Sequence, residues 1–219
     1  MKKVHPYVWI LAVILLWSIW QITSAVLTNH PITNYPPKGH RVVALGDSLI
    51  VGIGAGSPEG GFIPVLEKRL DTAIVNKGVS GDTTRDGLMR LENDVLNENP
   101  DIVIVLLGGN DYLRQIPEEE TFANLRTIIS QTQSHGAVVM LLGVHGGLLV
   151  DHFDDNFAAL AKETGSLFVP NVLDGIIDNK TLMSDEIHPN DRGYEKIVDK
   201  IAPSLLGLIL AAPEVVKEQ

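Results

Sequence analysis

Residues 101–111 read DIVIVLLGGND. The six that follow Asp101 form a continuous apolar run rich in β-branched side chains, and Gly108 and Gly109 close it. A run of this length without polar alternation is the pattern of a strand buried on both faces. Four other runs resemble it: residues 41–46 (RVVALG), 73–76, 137–144 and 167–169. Between them lie stretches with apolar residues at helical spacing. These are residues 62–70, 82–97 (with Leu88, Leu91, Val95 and Leu96 on one side), 118–135, 154–164 and 190–210. Glu118, Glu119 and Glu120 open the third of them, where acids complement the helix dipole. Five strands separated by helices predict an α/β fold whose parallel sheet is covered on both faces and joined by right-handed crossovers. Sites in such sheets form beyond the C-terminal ends of the strands.

Four polar clusters arrive at that edge. Gly46-Asp47-Ser48-Leu49 follows the first strand and Gly78-Val79-Ser80-Gly81-Asp82 the second. Gly108-Gly109-Asn110-Asp111 follows the third, and Asp185-Glu186-Ile187-His188-Pro189 lies beyond the last. Together they suit acyl transfer. A serine hydroxyl is a weak nucleophile until an adjacent base takes its proton. Histidine is the base suited to neutral pH, and a carboxylate fixes its tautomer and orientation. Asp185 and His188 lie three residues apart, so one loop delivers both beside Ser48. The tetrahedral oxyanion needs donors already in place. The backbone N–H groups of Ser48 and Gly81 and the side-chain amide of Asn110 supply three. Glycine at 81 lets the main chain approach a substrate with no Cβ in the way.

The four blocks, GDSL (46–49), NKGVSGDT (76–83), LGGND (107–111) and DEIHPN (185–190), resemble those of the SGNH (GDSL-type) hydrolase superfamily. The similarity runs from about residue 41 to 206 and points to the bacterial thioesterase I, lysophospholipase L1 and arylesterase group. It implies a flavodoxin-like α/β/α sandwich with a five-stranded parallel sheet and no cofactor. It also implies Ser48 as nucleophile, His188 as base, Asp185 as its orienter, and Gly81 and Asn110 as oxyanion donors. Gly78 lies near Gly81, and the match to Ser-Gly-Asp favours Gly81.

Composition narrows the partners. No cysteine occurs among the 219 residues, which excludes disulfides, thiolate catalysis and a lipidated cysteine. The net charge is −10, and the first 40 residues hold Lys2, Lys3 and Lys38 with no acid. The remainder is therefore more acidic still and repels nucleic-acid phosphates. Residues 7–27 are apolar apart from Ser18, Gln21, Thr23 and Ser24. As a helix they would span ~31 Å, about one bilayer core. Lys2 and Lys3 precede them, so residues 1–28 are expected to form a membrane anchor with the following domain on the extracytoplasmic side. A cleaved signal, leaving a periplasmic or secreted protein, is the alternative; Thr23-Ser24-Ala25 is a poor version of its cleavage site. Residues 29–40, with Pro31, Pro36, Pro37 and Gly39, are expected to be an extended linker, residues 41–210 the hydrolase domain, and 211–219 a tail.

The expected substrate is a small-molecule or lipid ester with a short to medium acyl chain. Leu113, Ile116, Leu148, Leu149, Val150 and Phe153 fall after strands three and four and either line an acyl groove or cap the core. A carbohydrate O-acetylesterase is an alternative, although all three tryptophans lie in the apolar N-terminal segment. A silent anchored binding module is a further one, against which the complete triad argues. Asp185 and His188 alone make an incomplete metal site, and His145 and His152 read as loop residues. Gly52, Gly54 and Gly56 lack the spacing of a phosphate loop and read as a flexible loop beside Ser48. Asp47 and Asp111 read as structural, bonding loop amides.

Overall fold

A computed structural model describes residues 30–144 and 153–214 of the chain. The apolar run 7–27 lies outside these residues, as do His145, Leu148, Leu149, Val150 and His152. Among the described residues, no helix is long and apolar enough to cross a membrane.

Five strands form one sheet: β1 Val42–Gly46, β2 Ile74–Gly78, β3 Ile102–Leu106, β4 Val138–Leu142 and β5 Leu167–Val169. Their order is β2-β1-β3-β4-β5 and every pairing is parallel. This is the flavodoxin order, in which the chain switches direction between β1 and β3 and leaves a crevice at their C-terminal ends. All five residues of β1, β3 and β4 are buried, as their unbroken apolar runs require. The long helices are α2 Phe62–Leu70, α3 Thr84–Asp94, α5 Glu118–Ser134, α6 Phe153–Thr164 and α7 Asp191–Ala211. Helix α2 packs on α7, while α5 packs on both α3 and α6, an arrangement that fits an α/β sandwich.

Two short helices were not expected. They are α1 Ser48–Val51, which begins on the serine of the first cluster, and α4 Gly109–Leu113, which begins one residue before Asn110. Each is too short for an apolar stripe, so periodicity could not reveal it. The predicted helix 82–97 instead starts after a capping box between Thr83 and Asp86 and gives way to a 3₁₀ turn at Leu96–Glu98.

Residues 30–40 run without helix or strand, turn at Thr33–Asn34, and are bonded to the domain along their length. His30 Nε2 meets Ser166 O at 3.0 Å, and Thr33 Oγ1 donates to Thr164 O. Asn34 Nδ2 donates to Gln133 O and Ala137 O at 2.8 and 2.9 Å, and Arg41 N donates to Asp101 Oδ2. The segment thus crosses the residues that precede β5, β4 and β3 in turn, along the edge of the sheet opposite the four polar clusters.

Candidate active site

The serine arrives on a tight turn. Gly46 ends β1 where a Cβ would sit 2.6 Å from Leu106 O, so only glycine lets the strand leave the sheet so close to β3. Asp47 then caps α1: its Oδ1 accepts the Leu49 N–H at 3.0 Å, and Ser48 stands at the first helical position, half-buried. The histidine comes from the loop before α7. That loop folds back on itself, with Ser184 N–H donating to His188 O at 2.8 Å and Met183 bridging Pro189.

The two meet. His188 Nε2 lies 3.0 Å from Ser48 Oγ, and His188 Nδ1 lies 2.8 Å from Asp185 Oδ2. The other oxygen of Asp185 accepts the main-chain N–H groups of Ile187 and His188 at 2.8 and 2.7 Å. Those backbone donors, chiefly that of Ile187, and then the imidazole hold its carboxyl down at about 2, although its side chain is half exposed. Asp185 is therefore ionised wherever the imidazole can work as a base, and its acceptor oxygen fixes the ring so that Nε2 faces the serine.

Asn110 comes from α4. Its Nδ2 donates to Asp82 O at 3.0 Å and to Asp47 Oδ2 at 3.2 Å, tying the second and third clusters to the first. Gly81 has a φ of +84°, a backbone region that favours glycine, and its carbonyl accepts Arg114 Nη2 at 2.6 Å. The N–H groups of Ser48 and Gly81 have no acceptor among the described residues. Arg90 braces the same corner from α3: its guanidinium donates to the Asp82 carboxylate at 2.6 Å and to Gly46 O at 3.1 Å. Asp111 is fully buried and accepts from Thr84 N, Thr84 Oγ1 and Thr121 Oγ1, which locks α4 to α3 and α5.

Ser48, Asn110 and His188 open on a cavity of about 570 Å³, a size usual for small-molecule sites. Its apolar wall includes Leu49, Tyr112, Leu113, Val144, Leu173 and Ile177. Of the expected groove residues, Leu113 lines it, whereas Leu148 and Leu149 lie outside the described residues. Phe153 lines no groove. It is 2% exposed and stacks edge-on with Tyr112, Phe122 and Phe157, so the aromatic cluster under α6 claims it for the core. Leu173 and Ile177 were missed. They lie between β5 and the Asp185–His188 cluster, in a stretch read neither as an element nor as part of the site.

Gly54 was also misread. Its φ is +96°, and a Cβ there would lie 2.5 Å from Pro189 O and 2.9 Å from Cβ of His188. The glycine run after Ser48 is thus the seat on which the histidine loop rests, rather than slack chain. Tyr194, buried in α7, donates to Ile53 O at 2.6 Å and fixes that seat from below.

A family model described as the GDSL-like Lipase/Acylhydrolase family matches residues 44–196, which include all four clusters. The chain belongs to this family. It is an ester-bond hydrolase of the SGNH type, and the reading as a silent binding module falls away. The chain is similar to the "Thioesterase 1/protease 1/lysophospholipase L1" of Escherichia coli (strain K12), with 30% identity covering 77% of this chain and 84% of the relative. It is also similar to the "Acetylxylan esterase" of Geobacillus stearothermophilus, with 27% identity over 72% and 90%. Among solved structures, a "Crystal Structure of TesA" superposes with a TM-score of 0.70 at 28% identity, covering 77% of this chain and 99% of that one.

Proposed function

We propose that the chain hydrolyses carboxylic esters and thioesters of short to medium acyl groups through an acyl-enzyme on Ser48. The observation that carries this reading is the contact of 3.0 Å between Ser48 Oγ and His188 Nε2 at the wall of a cavity that has an apolar side. Ser48 Oγ attacks the acyl carbon as its proton passes to His188 Nε2. The carbonyl electrons move onto oxygen, and the oxyanion rests on the N–H groups of Ser48 and Gly81 and on the Asn110 amide. Asp185 steadies the imidazolium. Collapse of the intermediate expels the alcohol or thiol, protonated by His188, and water repeats the cycle on the acyl-enzyme. Leu113, Val144, Leu173 and Ile177 hold the acyl chain.

A second reading, a carbohydrate O-acetylesterase, is supported by the similarity to an acetylxylan esterase. Against it stands the scarcity of stacking platforms, for Tyr112 is the one aromatic residue among the described residues of the cavity wall. Assay of the full chain on acetyl through dodecanoyl esters tests the two. Each buried methylene contributes ~0.8 kcal/mol, so kcat/KM should climb about fourfold per carbon until the wall is covered and then flatten. Fastest turnover of an acetylated sugar, with a flat acyl profile, would favour the glycan reading.

The sequence further supports a tether through residues 7–27 with the domain on the extracytoplasmic side. Because residues 30–40 cross the edge of the sheet opposite Ser48, such a tether would join the domain at that edge. Retention of the full chain in carbonate-washed membranes is the expected result. A mature N-terminus near Val26 would replace the tether with a cleaved signal.

A further inference from the structure

Asp47 has two partners among the described residues and no cation. It is 4% exposed; Oδ1 takes the Leu49 N–H, and Oδ2 takes one N–H of the Asn110 amide. Capping a helix of four residues does not require a buried carboxylate, since a serine or threonine oxygen accepts the same bond. Burial chiefly, with a smaller push from the Asp82 carboxylate, moves this carboxyl up to about 6, against the opposing pull of the Leu49 N–H and of positive charge on His188. The second contact asks for an explanation.

Asn110 has two side-chain N–H groups. One is held by the main-chain carbonyl of Asp82 at 3.0 Å; the other points at Asp47 Oδ2 at 3.2 Å, longer than a charge-assisted bond normally runs. The second hydrogen is the one free to turn to an oxyanion. An ionised carboxylate accepts and never donates, so it admits only the NH₂ end of the amide and excludes the carbonyl end. We propose that Asp47 is a positioning residue for the oxyanion donor: between turnovers it holds the Asn110 N–H in the place and orientation from which the tetrahedral intermediate takes it over. The inference rests on the reading of Asn110 as an oxyanion donor. No bond forms or breaks at Asp47, and the hydrogen bond simply changes acceptor.

A double-mutant cycle on the full chain tests it, with Asp47→Asn, Asp47→Ser and Asn110→Ala alone and combined. Serine keeps an oxygen for the Leu49 N–H but is too short to reach Asn110, so it preserves the cap and removes the contact. Both single variants at 47 should lower kcat at least tenfold and leave KM within twofold. In the Asn110→Ala background the same changes should cost less than a further twofold, because the donor that Asp47 holds is already gone. Losses that multiply would mean that Asp47 acts through the Ser48 turn and would overturn the proposal, as would normal or raised kcat in Asp47→Ser. If Asp47→Asn does not fold, Asp47→Ser alone decides. Asn110→Ala with undiminished kcat would instead remove the oxyanion reading itself, which separates the two failures.

Discussion

The two edges of the sheet solve opposite problems with similar bonds. At the C-terminal edge, side chains bond to one another: Asn110 to Asp47, His188 to Asp185 and to Ser48, Arg90 to Asp82. At the N-terminal edge, side chains of residues 30–40 bond to main-chain carbonyls: Asn34 to Gln133 and Ala137, Thr33 to Thr164. The first pattern fixes reactive atoms relative to each other, at the cost of burying a charge and holding glycines at positive φ. The second satisfies carbonyls that the strands and helices leave unpaired. Substitutions at the upper edge should therefore cost activity ahead of stability, and those at the lower edge stability alone.

The sharpest break would come from Asn110→Ala. Loss of one oxyanion donor should lower kcat by roughly 10²–10³ with little change in KM. A raised KM with normal kcat would make Asn110 a substrate-binding residue. Next in size, Gly54→Ala forces a methyl group onto the histidine loop. Small misplacement of a catalytic group can cost on the order of 10²-fold, so kcat should fall by tens while Ser48 itself is untouched. An unaltered kcat would show that the loop before α7 yields freely.

Smaller effects belong to stability. The folded carboxyl of Asp47 stands at about 6, above its ordinary 3.8, so the folded state binds the extra proton between those limits. Wild-type stability should thus gain as pH falls through 6 relative to Asp47→Asn, by up to about 3 kcal/mol if the whole shift is realised. The melting temperature of the wild type minus that of Asp47→Asn should rise between pH 8 and pH 5, whichever protein is the more stable at pH 8; a constant difference would mean that Asp47 carries no buried charge. At the lower edge, Asn34→Ala leaves two carbonyls without their donor and puts alanine at a φ of +63°. Unfolding free energy should drop by about 1–3 kcal/mol with kcat unchanged. A loss of kcat in a folded Asn34→Ala would show that the edges are coupled.

The difference between the edges also explains what could be read in advance. Unbroken runs such as IVIVLL mark strands buried on both faces, and all five strands stood within a few residues of their expected places. The upper edge was legible because its chemistry demands particular residue types: a serine, a histidine with an acid three residues away, an asparagine and glycines after strands. The structure brings Ser48, Asp185 and His188 into one line of hydrogen bonds, with Asn110 beside them. The lower edge was not legible, because a side chain that bonds to a main-chain carbonyl leaves no mark on the sequence of its partner. Residues 29–40 therefore read as an extended linker. Leu173 and Ile177 escaped for a related reason, since apolar residues that line a cavity look like apolar residues that fill a core. Gly54 needed the third dimension, as its constraint comes from Pro189 and His188, more than 130 residues away in the chain.

The claim on which the rest depends is that His188 makes Ser48 a nucleophile. A fluorophosphonate probe reads this directly, because it bonds only to an activated hydroxyl. Intact mass and peptide mapping of the labelled full chain should show one equivalent on Ser48, and none after His188→Ala in a protein that still melts cooperatively. Labelling at another residue, or undiminished labelling of Ser48 without His188, would contradict it.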